Sequence, residues 1–377
     1  MPIILLILGL VLFIGLVVFH EFGHYIAARR GGVDVEEFGI GFPPKAYKKK
    51  LKNGVLLTIN WLPLGGFVRL KGEHDADSAP HSYGAASLKT KTKIMLAGVG
   101  MNLLAAFVLL TLVAWAGMPQ LIDNQFTVKN DTKIVKNEVL VGYIEPDSPA
   151  AKAGLKERDQ LVSVGQNWAW ATPQSVTTAD KLPDITRQFA GQPIRLTIKR
   201  NNKEEVLTPT LRTKQEVDAS KNTDNPKGYL GISPTEYTLQ RSTWSAPVVA
   251  LGLMKQFTVL TFKGLGHALG ALFSGHASQA GSQVAGPVGI FVLLKDGSLL
   301  GYQFILLIVA VISLTLAIMN VLPIPALDGG RLFVTWLYRL LRKPLTPKAE
   351  NAIHGTGFAL LMVLFVLITI VDVRRFL

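Results

Sequence analysis

The chain contains no cysteine. Disulfides and thiolate metal sites are therefore excluded, and any metal must be held by His, Asp or Glu. Charge is also scarce, 17% of 377 residues against 49% hydrophobic, and the mean hydropathy is +0.32. Such values belong to membrane proteins. The first apolar segment lacks the basic start and small-residue cleavage site of a signal peptide, so it reads as a retained span.

What charge there is lies unevenly. The net charge is +13, which alone would suit a nucleic-acid binder. Twelve Lys/Arg stand against six acids between Arg29 and Lys93, whereas residues 119–300 hold twenty against sixteen. Basic short loops beside apolar runs mark the cytoplasmic side of a membrane, so no nucleic-acid partner is expected.

A span needs about 20 apolar residues. Four segments qualify: Ile3 to about Ala28, 94–122, roughly Leu299–Leu327 and roughly Gly355–Val371. The segment 246–275 is interrupted by Lys255, Lys263 and His267 and reads as amphipathic helices on the outer membrane surface. Charge placement puts both termini and 123–245 outside, with Arg374 and Arg375 a mild exception.

Chemistry enters with HEFGH (20–24), directly after seventeen uncharged residues. His20 and His24, at i and i+4, share a helix face and can hold one metal ion, with Glu21 beside them to take a proton from water. A pair of satisfied core histidines is the bland alternative. It is disfavoured because each ionisable group in lipid costs at least ~2.5 kcal/mol unless compensated. Zinc wants a third protein ligand and an open position. Asp328, in NVLPIPALDGGRL (320–332), stands at a similar depth from the cytoplasmic boundary; a helix-capping role is its competitor. A fifth span would place the two arms on opposite sides. The cluster EHDADSAPH (73–81) reads as a solvated loop rather than a second metal site.

HExxH in the first span with NxxPxxxLDG in a later one resembles the site-2 protease family of intramembrane zinc metalloproteases, bacterial RseP/RasP type. FGIGF (38–42), LPLGGFVRL (62–70), a mid-chain PDZ-like segment and AGPVGI (285–290) extend the likeness over essentially the whole chain. The resemblance implies a Zn2+ cofactor held by His20, His24 and Asp328, Glu21 as general base, and Asn320, Pro323 and Pro325 in a substrate-binding segment. Asn320 would hydrogen-bond an unwound peptide, or else satisfy its own broken helix. One PDZ domain fits in this chain, where the best-known Gram-negative members carry two.

A transmembrane substrate must unwind before its carbonyls can be reached, and the freed backbone groups need partners. The run 53–70, with its Asn-Gly turn, β-rich Val55–Ile59 and Gly65–Gly66, suits a membrane-associated β-hairpin offering an exposed edge. An ordinary cytoplasmic hairpin is the alternative. Residues 142–166 resemble the strand–helix–strand of a PDZ domain, and 193–211 an antiparallel pair across Asn201–Asn202. Residues 169–184 read as a loop leading into a short helix. GYLGIS (228–233) resembles a carboxylate-binding loop, in which the amides of Leu230, Gly231 and Ile232 would capture a peptide C-terminus. A steric filter is an equal reading of the domain.

The expected architecture is thus a polytopic α-helical membrane protein of four transmembrane helices, with a β-hairpin and an extracytoplasmic α+β PDZ domain. Its parts are 1–122, 123–235, a linker with surface helices at 236–298, and 299–377. The expected function is cleavage of single-span membrane substrates after their exterior part is shortened, such as anti-sigma factors or remnant signal peptides, at a bacterial cytoplasmic membrane whose lipid surrounds the enzyme. A protease for soluble peptides is disfavoured because the ligands lie in spans, and a metal transporter because the other spans lack an ionisable path. A non-catalytic scaffold binding partner C-termini through its PDZ domain is the alternative from another class.

Overall fold

In the computed structural model, residues 2–167, 172–223, 225–274 and 286–376 are described, without the side chains of 63, 64, 269, 272 and 273. The expected loop residues 169–171 and Ala285 of the AGPVGI run lie outside the described residues. The chain divides into two compact units. The first holds 1–118, 124–131 and 242–377; the second holds 119–123 and 132–241.

The first unit is built on long apolar helices. Helix α1 (Pro2–Arg30) has no charged residue before Glu21 and ends in Arg29 and Arg30, which complement the negative end of the helix dipole. Helix α2 (Leu88–Ala116) is capped by Ser87, whose side chain accepts from the Thr90 N–H, and stops at Gly117. The two helices meet at small residues. A Cβ on Gly23 would lie 2.6 Å from the Ala97 carbonyl oxygen, an approach that only glycine permits in lipid-buried packing.

Between α1 and α2 lies a small antiparallel sheet, β1 (Val35–Lys50) and β2 (Leu56–Leu70). Each strand bends back on itself, at Gly41 (φ +77°) and Gly65 (φ +96°). Residues 37–40 pair with 66–69 on one side and with 56–59 on the other, and 56–59 also pairs with 47–50. The expected hairpin is corrected accordingly. Leu56–Ile59 is an inner segment because FGIGF covers it, and the edges are Gly66–Arg69 and Tyr47–Lys50. Glu37, fully buried, joins three segments through Thr58 Oγ1 (2.9 Å), Arg69 (2.6 Å) and Lys45 (2.8 Å), so its charge is compensated.

Helix α6 (Ala246–Phe273) comes after the second unit in sequence. Helices α7 (Pro287–Leu300), α8 (Tyr302–Val321), α9 (Asp328–Leu340) and α10 (Pro347–Phe376) complete the first unit. The buried Asp372 accepts from the Gly289 N–H at 2.7 Å and so closes the start of α7. The expected third span is shorter than 299–327: Gly301, at φ +115°, divides it from α7, and Leu322–Leu327 is non-helical because Pro323 and Pro325 supply no N–H.

Among the described residues, five helices are long and apolar enough to cross a bilayer: α1, α2, α6 over Ala246–Ala268, α8 and α10. The expected four omitted α6, which qualifies by length and composition alone. It forms one continuous helix with Ala246, Val249, Ala250, Leu253 and Phe257 buried at helical spacing, while Lys255, Lys263 and His267 stay off that stripe. A fifth helix does not part the two halves of the motif set. Helix α8 runs parallel to α1, with Gly9 beside Ile305, Leu16 packed with Ile308 and Val309, and Asn102 linking His20 to Ser313. Their far ends therefore reach the same level.

The second unit is a seven-stranded sheet. The two-residue β3 (Met118–Pro119) gives it Pro119; β4 (Lys133–Ile144), β5 (Gln160–Gln166), β6 (Gln174–Ser175), β7 (Ile194–Arg200), β8 (Lys203–Leu207) and β9 (Ile232–Arg241) make up the rest. The order is β3-β9-β4-β5-β7-β8, with β6 beside β5. Short helices α3 (Pro149–Lys152), α4 (Lys181–Gln188) and α5 (Lys214–Ser220) lie between strands. Alternate residues Ile194, Leu196 and Ile198 point into a core shared with Val139, Val141, Leu161 and Val164. Asn201 and Asn202 both take positive φ, 50° and 65°, as a tight β7–β8 hairpin requires.

Candidate metal centre

The uncharged run that makes α1 a span also fixes where its polar residues fall. His20 and His24 sit one turn apart on the face turned to α2, 8% and 7% exposed. Gly98 makes room for both rings: a Cβ there would lie 2.5 Å from His24 Nε2 and 2.7 Å from His20 Nε2. Asp328 arrives from the other side as the first residue of α9. Ala326, at φ +78°, turns the chain into that helix, and the Leu322–Pro325 backbone packs tightly against its first turn. A Cβ on Gly329 would lie 2.6 Å from the Leu322 carbonyl oxygen, and one on Gly330 2.8 Å from Pro325 N. The two glycines after Asp328 are thus required by close approach.

Three atoms converge. His20 Nε2 and His24 Nε2 lie 3.1 and 3.2 Å from Asp328 Oδ2 and 3.1 Å from each other. Among the described residues this is the one group of three His, Asp or Glu side chains so arranged. His24 Nδ1 donates to the Ile94 carbonyl at 2.8 Å, so its Nε2 presents a lone pair. Asn102 Nδ2 lies 3.1 Å from His20 Nδ1, and its Oδ1 is buried without a hydrogen-bond partner. With the amide turned over, Oδ1 accepts from Nδ1–H and leaves the His20 Nε2 lone pair free as well. Asp328 Oδ2 is itself buried without a hydrogen-bond partner.

Three lone-pair acceptors crowded together repel one another unless a cation lies among them. The corners of a tetrahedral zinc site with bonds of ~2.0–2.1 Å are about 3.3 Å apart, close to the observed spacings. Imidazole and carboxylate ligands with fixed outer partners suit zinc. His20, His24 and Asp328 can hold such an ion.

Glu21 lies on the side of α1 facing the sheet. Its Cγ is 3.2 Å from where a Gly66 Cβ would be, and the Val68 backbone hydrogen-bonds to its carboxylate. Of the residues expected to bind substrate, Gly66 pairs with Ile40 on the edge segment beside Glu21, and Gly65 lies under the Phe42 ring. Asn320 is half-buried in the last turn of α8, Pro323 is exposed, and Pro325 packs against Gly357 of α10.

In the second unit the Leu230 and Gly231 carbonyls accept from Ala150 and Glu145 at 3.0 Å each, and Ile232 pairs with Ile144. Leu230 is core. The unit runs to Arg241.

Two features escaped sequence reasoning. Asn102 lies against His20; its signal was a lone side-chain amide in the uncharged middle of a span, a group that must find a hydrogen-bond partner on another helix. The loop at 73–81 is partly exposed, as expected, but it is also tied to distant helices. Asp75 forms an ion pair with the fully buried Lys91, and His74 bonds Asn351 at 2.9 Å. Those partners are remote in sequence and carry no local pattern.

Residues 8–364 match peptidase family M50. The chain is similar to zinc metalloprotease RasP of Geobacillus kaustophilus, 26% identical over 97% of both chains. It is likewise similar to RasP of Oceanobacillus iheyensis, 26% identical over 96% of both.

Proposed function

Given that the chain belongs to peptidase family M50, we propose that this multi-pass membrane zinc metalloprotease hydrolyses a peptide bond within single-span membrane proteins whose exterior part has already been shortened. In this reading His20, His24 and Asp328 hold the zinc and Glu21 is the catalytic proton acceptor. The observation that carries it is the convergence of two imidazole nitrogens and a partnerless buried carboxylate oxygen at 3.1–3.2 Å. A zinc ion held by these residues would supply Lewis acidity toward a carbonyl and a water. Glu21 takes the proton released as water attacks and returns it to the leaving amine. His24, tied to the Ile94 carbonyl, and His20, tied to Asn102, keep their rings oriented throughout.

The sheet suggests how substrate is handled. An unwound segment adds as a strand to the Gly66–Arg69 edge, which the Val68–Glu21 contact puts beside the proton acceptor. Asn320, Pro323 and Pro325, on the segment that leads into Asp328, are read as further contacts to the same substrate. The second unit is read as a single PDZ-type domain outside the cell membrane. It serves as a size filter or, through the amides of Leu230, Gly231 and Ile232, as a receptor for peptide C-termini. Both termini lie outside and the zinc site near the cytoplasmic face; anti-sigma factors and remnant signal peptides are the substrates that fit.

The test uses purified full-length protein and a tagged single-span substrate lacking its exterior domain. Wild type yields product and Glu21→Gln does not, although both retain zinc. Equal cleavage by both would sink the assignment of Glu21. No cleavage of any signal-peptide or anti-sigma span by zinc-loaded wild type would remove the substrate class and favour the scaffold.

A further inference from the structure

We propose that Glu350 and His354, one turn apart on α10, are positioning residues for Asp328. The inference rests on the reading of Asp328 as a zinc ligand. Asp328 lies between two points that α10 grips. Two residues before it, the Ala326 N–H donates to His354 Nδ1 at 3.3 Å. Three residues after it, Arg331 Nε lies 3.9 Å from Glu350 Oε1. At i and i+4 the two side chains share one face of the helix. Gly357 continues that face, where a Cβ would lie 2.7 Å from the Pro325 carbonyl oxygen, so the helix backbone itself rests on the loop.

The rest of α10 underlines this. Of its 30 residues only Glu350, Gly357 and Asp372 are buried among those described, and the first two touch the Asp328 segment. Glu350 is anchored in turn. It is 2% exposed and accepts from the Asp75 N–H at 2.9 Å, while Asp75 pairs with the buried Lys91 of α2. Arg331 lies 5.7 Å over the Tyr83 ring and 3.7 Å from Glu73. Glu350 is a buried charge, and the loss of a partner from a buried charge is costly. Ala326 meanwhile holds a left-handed backbone that a non-glycine residue keeps only when its surroundings impose it. His354 supplies that constraint, and Glu350 fixes α9 through Arg331.

The experiment measures zinc release to a chelator, kcat and KM on purified full-length variants, with Asp328→Ala as reference. His354→Ala acts through Ala326 rather than on Asp328 directly, so it speeds zinc release about 10-fold, the low end of the effect of removing a ligand's own partner, and lowers kcat by a similar factor with KM unchanged. His354→Asn, which retains a side-chain acceptor, restores both, and Glu350→Ala behaves like His354→Ala. If Asp328→Ala speeds release but His354→Ala leaves release and kcat within twofold of wild type, the positioning role is overturned. If His354→Asn is as impaired as His354→Ala, the hydrogen bond to Ala326 is not what matters and the inference fails. If Asp328→Ala itself leaves release unchanged, the ligand assignment beneath it is wrong.

Discussion

Replacing Gly98 by Ala adds one methyl group at the point where α2 faces both histidines. Its carbon would sit 2.5 Å from His24 Nε2 and 2.6 Å from His20 Cε1. Ordinary contact begins near 3.4 Å, so the rings must retreat by about 0.9 Å (3.4 − 2.5) or α2 must move by the same amount. Helix α2 cannot easily yield, because Gly23 already lies against the Ala97 carbonyl one residue away. Metal–ligand distances tolerate about 0.2 Å, and a ~1 Å misplacement at a reacting centre costs on the order of 100-fold in rate. Gly98→Ala is therefore expected to release zinc at least ~10-fold faster and to lose about 100-fold in kcat. Gly100→Ala is the control: two residues along the same helix, a Cβ there meets nothing within 4 Å. The assay is zinc release to a chelator alongside cleavage of a tagged single-span substrate. Gly98→Ala retaining both within twofold of Gly100→Ala would refute the packing argument and the placement of the rings.

Asn102→Ala removes the partner of His20 Nδ1; zinc affinity, read by competition with a chelator, should fall by about 10–100-fold. An unchanged affinity would mean that the amide only packs the span. Outside the spans, Asp131 accepts hydrogen bonds from the Ser245 and Thr243 hydroxyls and backbone N–H groups just ahead of α6. The Ser245 hydroxyl first, then that of Thr243, hold its carboxyl well below the usual carboxylate range. The folded pKa is depressed, so this stabilisation is complete above the unfolded value of about 3.9 and is lost as pH falls through the folded value. Thermal unfolding in detergent should show wild type more stable than Asp131→Asn at pH 6, with the gap closing below pH ~3. A gap independent of pH would remove the carboxylate from the account.

How much was legible in the sequence depends on how far apart the interacting residues lie. The HEFGH spacing assigns His20 and His24 to one helix face because 3.6 residues make a turn, and the uncharged run before them makes that helix a span. Asp328 stood out for the same reason, an acid at the end of an apolar run. The alternating β7 and β8 segments and the Asn201–Asn202 turn were equally local. Non-local pairing was not. Nothing near Val55–Ile59 announces that Glu37–Ile40 covers one side of it and Tyr47–Lys50 the other, which moves the free edge to Gly66–Arg69. Charge in α6 was weighed per residue, whereas in the fold it is the face that matters, and Lys255, Lys263 and His267 lie off the buried one.

The sequence by itself determined the chemistry: which side chains can take a metal, which can carry a proton, and that they sit in segments made for lipid. Only the tertiary structure decided that α8 runs parallel to α1, so that Asp328 meets both imidazoles at one level. It alone turned a polar loop into the anchor for Lys91, Glu350 and Arg331. The physical reason is the same in both cases. Periodicity and hydropathy act along the chain within a few turns, while a buried polar atom must find its partner wherever packing puts one.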